Sequence, residues 1–497
     1  MDQVHPKEDG FNMMGCTSLG NFCCLGLTSL LGDSKVAGPG SAIYSASLES
    51  YFSAQQASIN PACIVSPQST EDVAATVKWL VTNGRNCTFA VRSGGHTGWA
   101  GASNVADGVV IDLRALDAVE PNTENSTVSV GVGATWDAVY AKLDPLNMSV
   151  NGGRAAGVGV GGLTLGGGIS FFSPRYGWTC DTVSNFQVVL ADGSTVDANK
   201  TSNPDLFRAL KGGNNNFGVV TRMELAIFKQ GPLWASTIYQ LMSTKDDVIR
   251  EFVKANSRDS YDEYASFYTT FVYTQARGIS VIANELEYTK EIDSPAIYEG
   301  FLSLPNIQNN TRVTNMTALS VETAAVRPVD QRSLSRVVTI ASTEASIKAA
   351  FDRWNATVAD VSQVSNIIWA FVLEPLPPAI YARAAEGNSL GLENRTEPLI
   401  VALLSATWTN ATDDLVVTKA AKAFFDAVDA DGRQSGTYDP YIYLDYADQD
   451  QQVIASYGSE SVRRLRQVQR RVDPLGVFTV QVPGGYKIPT GEEAASV

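Results

Sequence analysis

The sequence predicts an α+β fold of two domains, and three observations lead there. At 497 residues the chain exceeds what one ordinary hydrophobic core organises. Residues 60–146 alternate short apolar strands with amphipathic helices, and glycine-rich loops at 94–101, 152–168 and 212–218 fall at strand ends. After Gly231-Pro232 glycine becomes sparse, and longer strands alternate with helices, the pattern of an antiparallel sheet covered on one face. The boundaries read as an N-terminal extension over 1–40, a first domain over 41–230, a second over 231–440, and a C-terminal segment over 441–497.

Taken in order, residues 1–40 read as a poorly packed extension. Tyr44–Gln56 is helix-like, and Pro61–Pro67 is a short strand between prolines. Ser69 or Thr70 can cap a helix whose first turn carries Glu71 and Asp72 and whose apolar face is Val73, Val77, Leu80 and Val81. Strands are expected at 86–91, 108–113 and 127–132, and a helix from Ala134. Ala191-Asp-Gly-Ser194 is a hairpin turn, Pro204–Leu210 a short helix and Val219–Phe228 a strand. In the second domain, Trp234–Leu241, Ala265–Tyr273, Gly278–Glu287 and Val337–Ala341 read as strands and Asp246–Asn256 as a helix. Tyr438–Tyr446 reads as a tyrosine-rich strand with Tyr441, Tyr443 and Asp445 on one face. A helix over 459–471 ends at Asp473-Pro474.

Composition narrows the partners. Hydrophobic residues make up 44% and charged residues 18%, ordinary for a soluble globular chain. A net charge of −15 argues against nucleic acid and anionic membrane. No apolar run is long enough to span a bilayer. Six cysteines, Cys16, Cys23, Cys24, Cys63, Cys87 and Cys180, are too few for a disulfide scaffold and lack metal-ligand spacing, so no metal is expected; two disulfides, one or none all fit. Targeting signals conflict. Phe22–Leu31 is short and preceded by acids, a poor signal peptide. Yet sequons at Asn86, Asn125, Asn147, Asn199, Asn309, Asn315, Asn355, Asn394 and Asn410 are roughly twice as dense as chance, favouring a secretory or secreted glycoprotein over the intracellular alternative.

Chemistry concentrates in the loops. Arg92-Ser-Gly-Gly-His-Thr-Gly-Trp99 carries His96; the one other histidine of the sequence is His5. A histidine here reads either as a structural turn residue or as a catalytic or cofactor-linked imidazole, and successive loop N–H groups can nest an anion. The second loop holds a formal G-x-G-x-x-G at Gly157, Gly159 and Gly162. We reject a dinucleotide site of the Rossmann type, because Gly152-Gly153 precede the motif and Gly166-Gly-Gly168 interrupt the helix it requires. Its apolar residues, Val158, Val160, Leu163, Leu165 and Ile169, instead suit a backbone wrapped closely around a large flat or phosphate-bearing ligand.

Together these pieces resemble the berberine bridge enzyme-like branch of the vanillyl-alcohol oxidase and p-cresol methylhydroxylase superfamily, as found in fungi. The resemblance is carried by Val91–His96, Val158–Gly168, Leu206–Gly213 with Asn216-Phe-Gly218, Tyr441–Tyr446, Asp473-Pro474 and Pro483–Lys487. It implies an FAD-binding domain of the vanillyl-alcohol oxidase type to which the segment 441–497 returns, with an α+β substrate domain between. By the same resemblance His96 bonds covalently to the flavin. Arg92, Ser93, Gly94, Gly95, Thr97 and Gly98 cradle FAD with Arg154, Ala155, Val158, Gly159, Gly161, Gly162, Leu163, Gly166, Gly167 and Gly168, and Gly218 and Val219 pass close by. Ala155 stands where many members carry a second flavin-linking cysteine, so a single covalent bond is expected. Asp445 stands where the family usually has asparagine.

The function expected is an FAD-linked oxidase acting on a small organic substrate, a secondary metabolite, with O2 reoxidising the flavin. Tyr443 is the expected proton-handling residue, with Tyr441 and Asp445 as neighbours that tune it. The strand Leu399–Trp408 looks too apolar to supply a base. Carbohydrate oxidation, or flavin-bound cyclisation or isomerisation without net oxidation, are the alternatives. A monomer is expected.

Overall fold

The computed structural model describes residues 19–84, 86–326, 328–383 and 387–490. His5, Cys16 and residues 1–18 of the expected extension lie outside them.

Two small sheets and one large one organise the chain. Cys63–Val65, Val109–Asp112 and Phe89–Arg92 pair in parallel, with Val36–Ala37 antiparallel at the edge. Parallel strands need crossovers, and the helix Thr70–Thr82 supplies one. Ser69 Oγ accepts the Asp72 N–H at its start, as the capping pattern predicts. The second sheet is antiparallel, in the order Val119–Asn122, Thr127–Gly131, Val219–Lys229, Val183–Val189 and Thr195–Asn199, with Met148–Val150 also on Val219–Lys229.

The third sheet has eight antiparallel strands: Gln308–Thr314, Leu233–Leu241, Ile279–Tyr288, Ala265–Thr274, Ile368–Leu376, Leu399–Trp408, Arg332–Ala341 and Tyr438–Asp439. Alternation decides what each face does. On Ala265–Thr274, Phe267, Phe271 and Tyr273 enter a core shared with Phe252, Trp354 and Phe424 of the covering helices. Tyr268, Thr270 and Val272 turn the other way. A separate core joins the two small sheets and takes in Tyr441, Tyr443, Phe478 and Tyr486 from beyond residue 440.

Four local expectations change. Leu19–Leu31 is a helix fixed to the first sheet, not loose chain. Cys23 and Cys24 form disulfides with Cys87 and Cys63, and Gly26 lies so close to the Trp79 ring that a Cβ would collide with it. The helix over 44–56 breaks into Ala42–Glu49 and Ala54–Ala57, each capped by a serine, Ser41 and Ser53. The glycine stretch does contain a helix, Val160–Gly166, which stops at Gly167 with φ 116°. The tyrosine-rich stretch keeps strand pairing at Tyr438–Asp439 and then tightens into a 3-10 turn at Leu444–Tyr446.

Candidate active site

The two leading glycine loops meet backbone to backbone. A Cβ on Gly94 would stand 2.5 Å from the Gly159 nitrogen, and one on Gly159 would stand 2.3 Å from the Gly94 nitrogen. Ser93 pins the junction: its hydroxyl donates to the Val132 carbonyl at 2.6 Å and accepts the Gly161 N–H at 3.2 Å. His96 is half-buried within the first loop. Its ring stacks on Phe52, centroids 4.1 Å apart and planes 19° apart, while the Phe52 N–H donates to the Gly95 carbonyl.

A cavity of about 590 Å³ opens between these loops and the large sheet. Ser93, Gly94, Gly95, His96, Thr97, Gly98, Arg154, Ala155, Val158, Gly159, Gly161, Gly162, Leu163, Gly218, Val219, Tyr443 and Asp445 all line it. Leu403, Ser405, Thr407 and Tyr268 face it from the sheet, and Tyr486 from the C-terminal segment. Its size is that of a cofactor site. Gly162, on the cavity lining, has nothing within 4 Å of where a side chain would begin. Bare backbone along one wall fits a long ligand with a pyrophosphate, which takes N–H donors. The residues present therefore suit FAD.

Five expected residues are placed elsewhere. Arg92 is fully buried away from the cavity. Its guanidinium donates to the Ser47 and Ser50 carbonyls at 2.5 and 2.8 Å and lies 3.6 Å over the Tyr51 ring. It ties the helix Ala42–Glu49 to the His96 loop. Gly166, Gly167 and Gly168 lie behind the cavity: a Cβ on Gly166 would overlap the Asp445 carboxylate, Gly167 faces Leu390, and Gly168 sits against Thr179. Tyr441 is buried against Trp178 and Tyr457 with its hydroxyl unpartnered.

Tyr443 reaches the cavity but is poorly placed to take a proton. Its hydroxyl accepts the Ile169 N–H at 2.8 Å and donates its O–H to Asp445 Oδ2 at 2.7 Å. Burial, then the neighbouring Asp445 charge, push its hydroxyl well above the usual tyrosine range, so the phenolate is disfavoured. Asp445 itself is pushed up to about 7 by burial, against the opposing hydrogen bonds from Tyr443 and the Gly168 N–H. Near neutral pH it is partly protonated and can present a donor, as an asparagine would.

The polar centre is one the sequence reading did not assemble. Arg154 Nη1 and Nη2 donate to Glu374 at 2.9 and 2.5 Å, and Nη2 donates to the Tyr446 oxygen at 2.6 Å. The Tyr446 hydroxyl donates to Glu374 Oε1 at 3.1 Å. Arg154 also lies 5.0 Å from the centre of the Tyr268 ring. Burial opposes the Arg154 charge most strongly, and Glu374, Tyr446 and Tyr268 together more than restore it. Glu374 is the one charge in the strand Ile368–Leu376, a signal the sequence offered. Among the described residues no group of three or more His, Cys, Asp or Glu is arranged to hold a metal ion, and no helix is long and apolar enough to cross a membrane.

Comparison with known proteins fits this geometry. Residues 61–199 match the FAD binding domain family. The Oligopeptidase PhomG' of Diaporthe leptostromiformis is 50% identical over 473 residues, covering 93% of this chain but 37% of that protein. The chain thus spans little more than a third of that relative's length. The FAD-dependent monooxygenase CTB5 of Cercospora beticola is 35% identical over 484 residues, 94% of this chain and 92% of that protein. Among solved structures, wild-type BBE-like 1 of Physcomitrella patens superposes with a TM-score of 0.77 at 20% identity, over 95% of this chain and all of that one. The carbohydrate oxidase from Microdochium nivale gives 0.75 at 21% identity, again over 95% of this chain and all of that one. At these identities the structural likeness shows the fold alone.

Proposed function

Since the chain belongs to a family of fungal FAD-dependent oxidoreductases and has the fold of a berberine bridge enzyme-like protein, we propose that it is an oxidase of a small organic secondary metabolite. In this reading FAD is tethered through His96 alone and O2 is the final acceptor. The observation that carries it is Arg154 and Tyr446 facing the same cavity as His96. FAD, when bound between the His96 loop and the second glycine loop, would supply the hydride acceptor and the redox link to O2.

The chain's own residues handle position and protons. The stack on Phe52 holds the His96 ring at the cavity wall, and Ala155 offers no thiol for a second link. As a substrate hydroxyl gives its proton to the Tyr446 oxygen, the proton already on Tyr446 passes along its hydrogen bond to Glu374. Arg154 supports negative charge on both oxygens throughout. Tyr446 therefore replaces Tyr443 as the assigned catalytic residue. Tyr443, with Asp445, closes the back of the cavity.

Ala370, Val372 and Leu403 cluster with Tyr268, Val272 and Tyr446 on the cavity side of the sheet. That apolar wall favours a substrate with aromatic or aliphatic surface over an oligosaccharide. Two disulfides together with the sequon density favour maturation in the secretory pathway.

Photoreduction of the loaded protein, followed by air, tests the oxidase reading without a known substrate. Rapid reoxidation with one H2O2 formed per flavin is expected. Reduced flavin that persists in air contradicts the reading. Similarity to the FAD-dependent monooxygenase CTB5 favours a second reading, oxygen insertion; label from isotopic O2 appearing in the product would support it.

A further inference from the structure

One buried and one half-buried carboxyl stand behind the Arg154 centre without a cation of their own. Glu285 and Glu287 are two apart on the strand Ile279–Tyr288 and so share one face of the sheet. It is the face that carries Tyr268, because Glu285 is the register partner of both Tyr268 and Thr237. Glu287 pairs in register with Ser266 and with Ala235, and Ala235 in turn with Arg312. Glu374 is one residue beyond Leu373, the partner of Thr269, so it lies alongside Tyr268. Three carboxyls and two arginines thus occupy one end of one sheet face.

The pairing of these charges is uneven. Arg154 is taken by Glu374 and Tyr446, and Arg312 by Glu322 on the helix Met316–Ala325. Glu285 has the Thr237 hydroxyl, which donates to it at 2.6 Å. Glu287 is 2% exposed, and its Oε2 has no hydrogen-bond partner. A buried carboxylate in that position is costly, so the proton is retained. Burial and then Glu285 push the Glu287 carboxyl well above its usual range, against Arg154 and Arg312, with Glu374 adding to the rise. Burial likewise pushes Glu285 up to about 7, against the Thr237 hydroxyl and Arg312, with Glu322 adding to the rise.

We propose that Glu285 and Glu287 form a proton-dependent counter-site for Arg154. While the pair keeps its protons, the guanidinium is committed to Glu374 and Tyr446. When the pair releases a proton to solvent through the more exposed Glu285, a second anion competes for Arg154 and draws its charge from the cavity. The two glutamates are positioning residues: they act through Arg154 and touch neither substrate nor cofactor. Their titration is coupled, because each raises the cost of ionising the other.

The inference rests on the flavoprotein reading, and the test separates the two. The reduction potential of the holoprotein's flavin is measured against pH by equilibration with redox dyes. For wild type, a bend is expected in the alkaline direction where the pair loses its proton, because cationic support is then withdrawn from the cavity. Glu287→Gln leaves Glu285 beside a neutral neighbour, as in the protonated pair, so the bend stays near its wild-type position; Glu285→Gln leaves only the more deeply buried Glu287 to ionise, so the bend moves to higher pH. The double variant removes it. A purely structural role would leave the shape of the curve unchanged. A bend that persists in the double variant, a bend in Glu285→Gln that stays in place or moves to lower pH, or no bend in flavin-loaded wild type overturns the inference. Wild type that holds no flavin contradicts the flavoprotein reading instead.

Discussion

Arg154→Met tests the polar centre through stability. Arg154 and Glu374 are paired by two hydrogen bonds, with side chains 10% and 3% exposed. Removing the arginine leaves Glu374 buried with only the Tyr446 hydroxyl as a partner in this centre. Breaking a buried pair from one side costs about 3–5 kcal/mol, because the remaining charge stays desolvated. Replacing both partners by apolar residues is close to neutral, so Arg154→Met combined with Glu374→Leu should fall within about 1 kcal/mol of wild type. Guanidinium unfolding followed by tryptophan fluorescence at pH 8 reads both values. If Arg154→Met lies within about 0.5 kcal/mol of wild type, or the double variant is as unstable as the single, the pair is not the buried charge centre described here.

Asp445→Asn should stabilise the protein increasingly as pH rises. The folded carboxyl titrates near 7, above its ordinary value of 3.8, so its favourable contribution is complete below about pH 4 and is lost as pH climbs through 7. Unfolding curves should coincide near pH 4 and separate by pH 8. Gly94→Ala should lose both flavin and stability, because its Cβ meets the Gly159 backbone, whereas Gly162→Ala should keep the fold, since nothing lies within 4 Å. Thermal melts and flavin absorbance distinguish the two. Cys24→Ser with Cys63→Ser should cost about 2–4 kcal/mol by releasing a link 39 residues apart in sequence, read by denaturation under non-reducing conditions.

Strand periodicity and loop chemistry made much of the fold legible. The Ser69 cap, the crossover helix and the long strands after residue 231 follow from local pattern. What failed has a common physical origin in side-chain direction. Val91 lines the cavity and Arg92 points away, because neighbours on a strand face opposite sides, although both belong to one motif. Strand alternation would set Tyr446 opposite Tyr443. The turn at Leu444–Tyr446 instead brings it onto Arg154. Glu374 stands 220 residues from Arg154 in sequence, and only the packing of the second glycine loop against the large sheet brings the two together. Cysteine spacing could not say that Cys23 and Cys24 reach to Cys87 and Cys63, so Leu19–Leu31 looked unanchored.

The central claim is that FAD sits in this cavity on His96. Denaturing gels of wild type and His96→Ala, viewed by flavin fluorescence, test it most directly. A fluorescent wild-type band that disappears in the variant is the predicted result. A wild-type band without fluorescence, or a variant band that keeps it, contradicts the assignment of His96 as the tether.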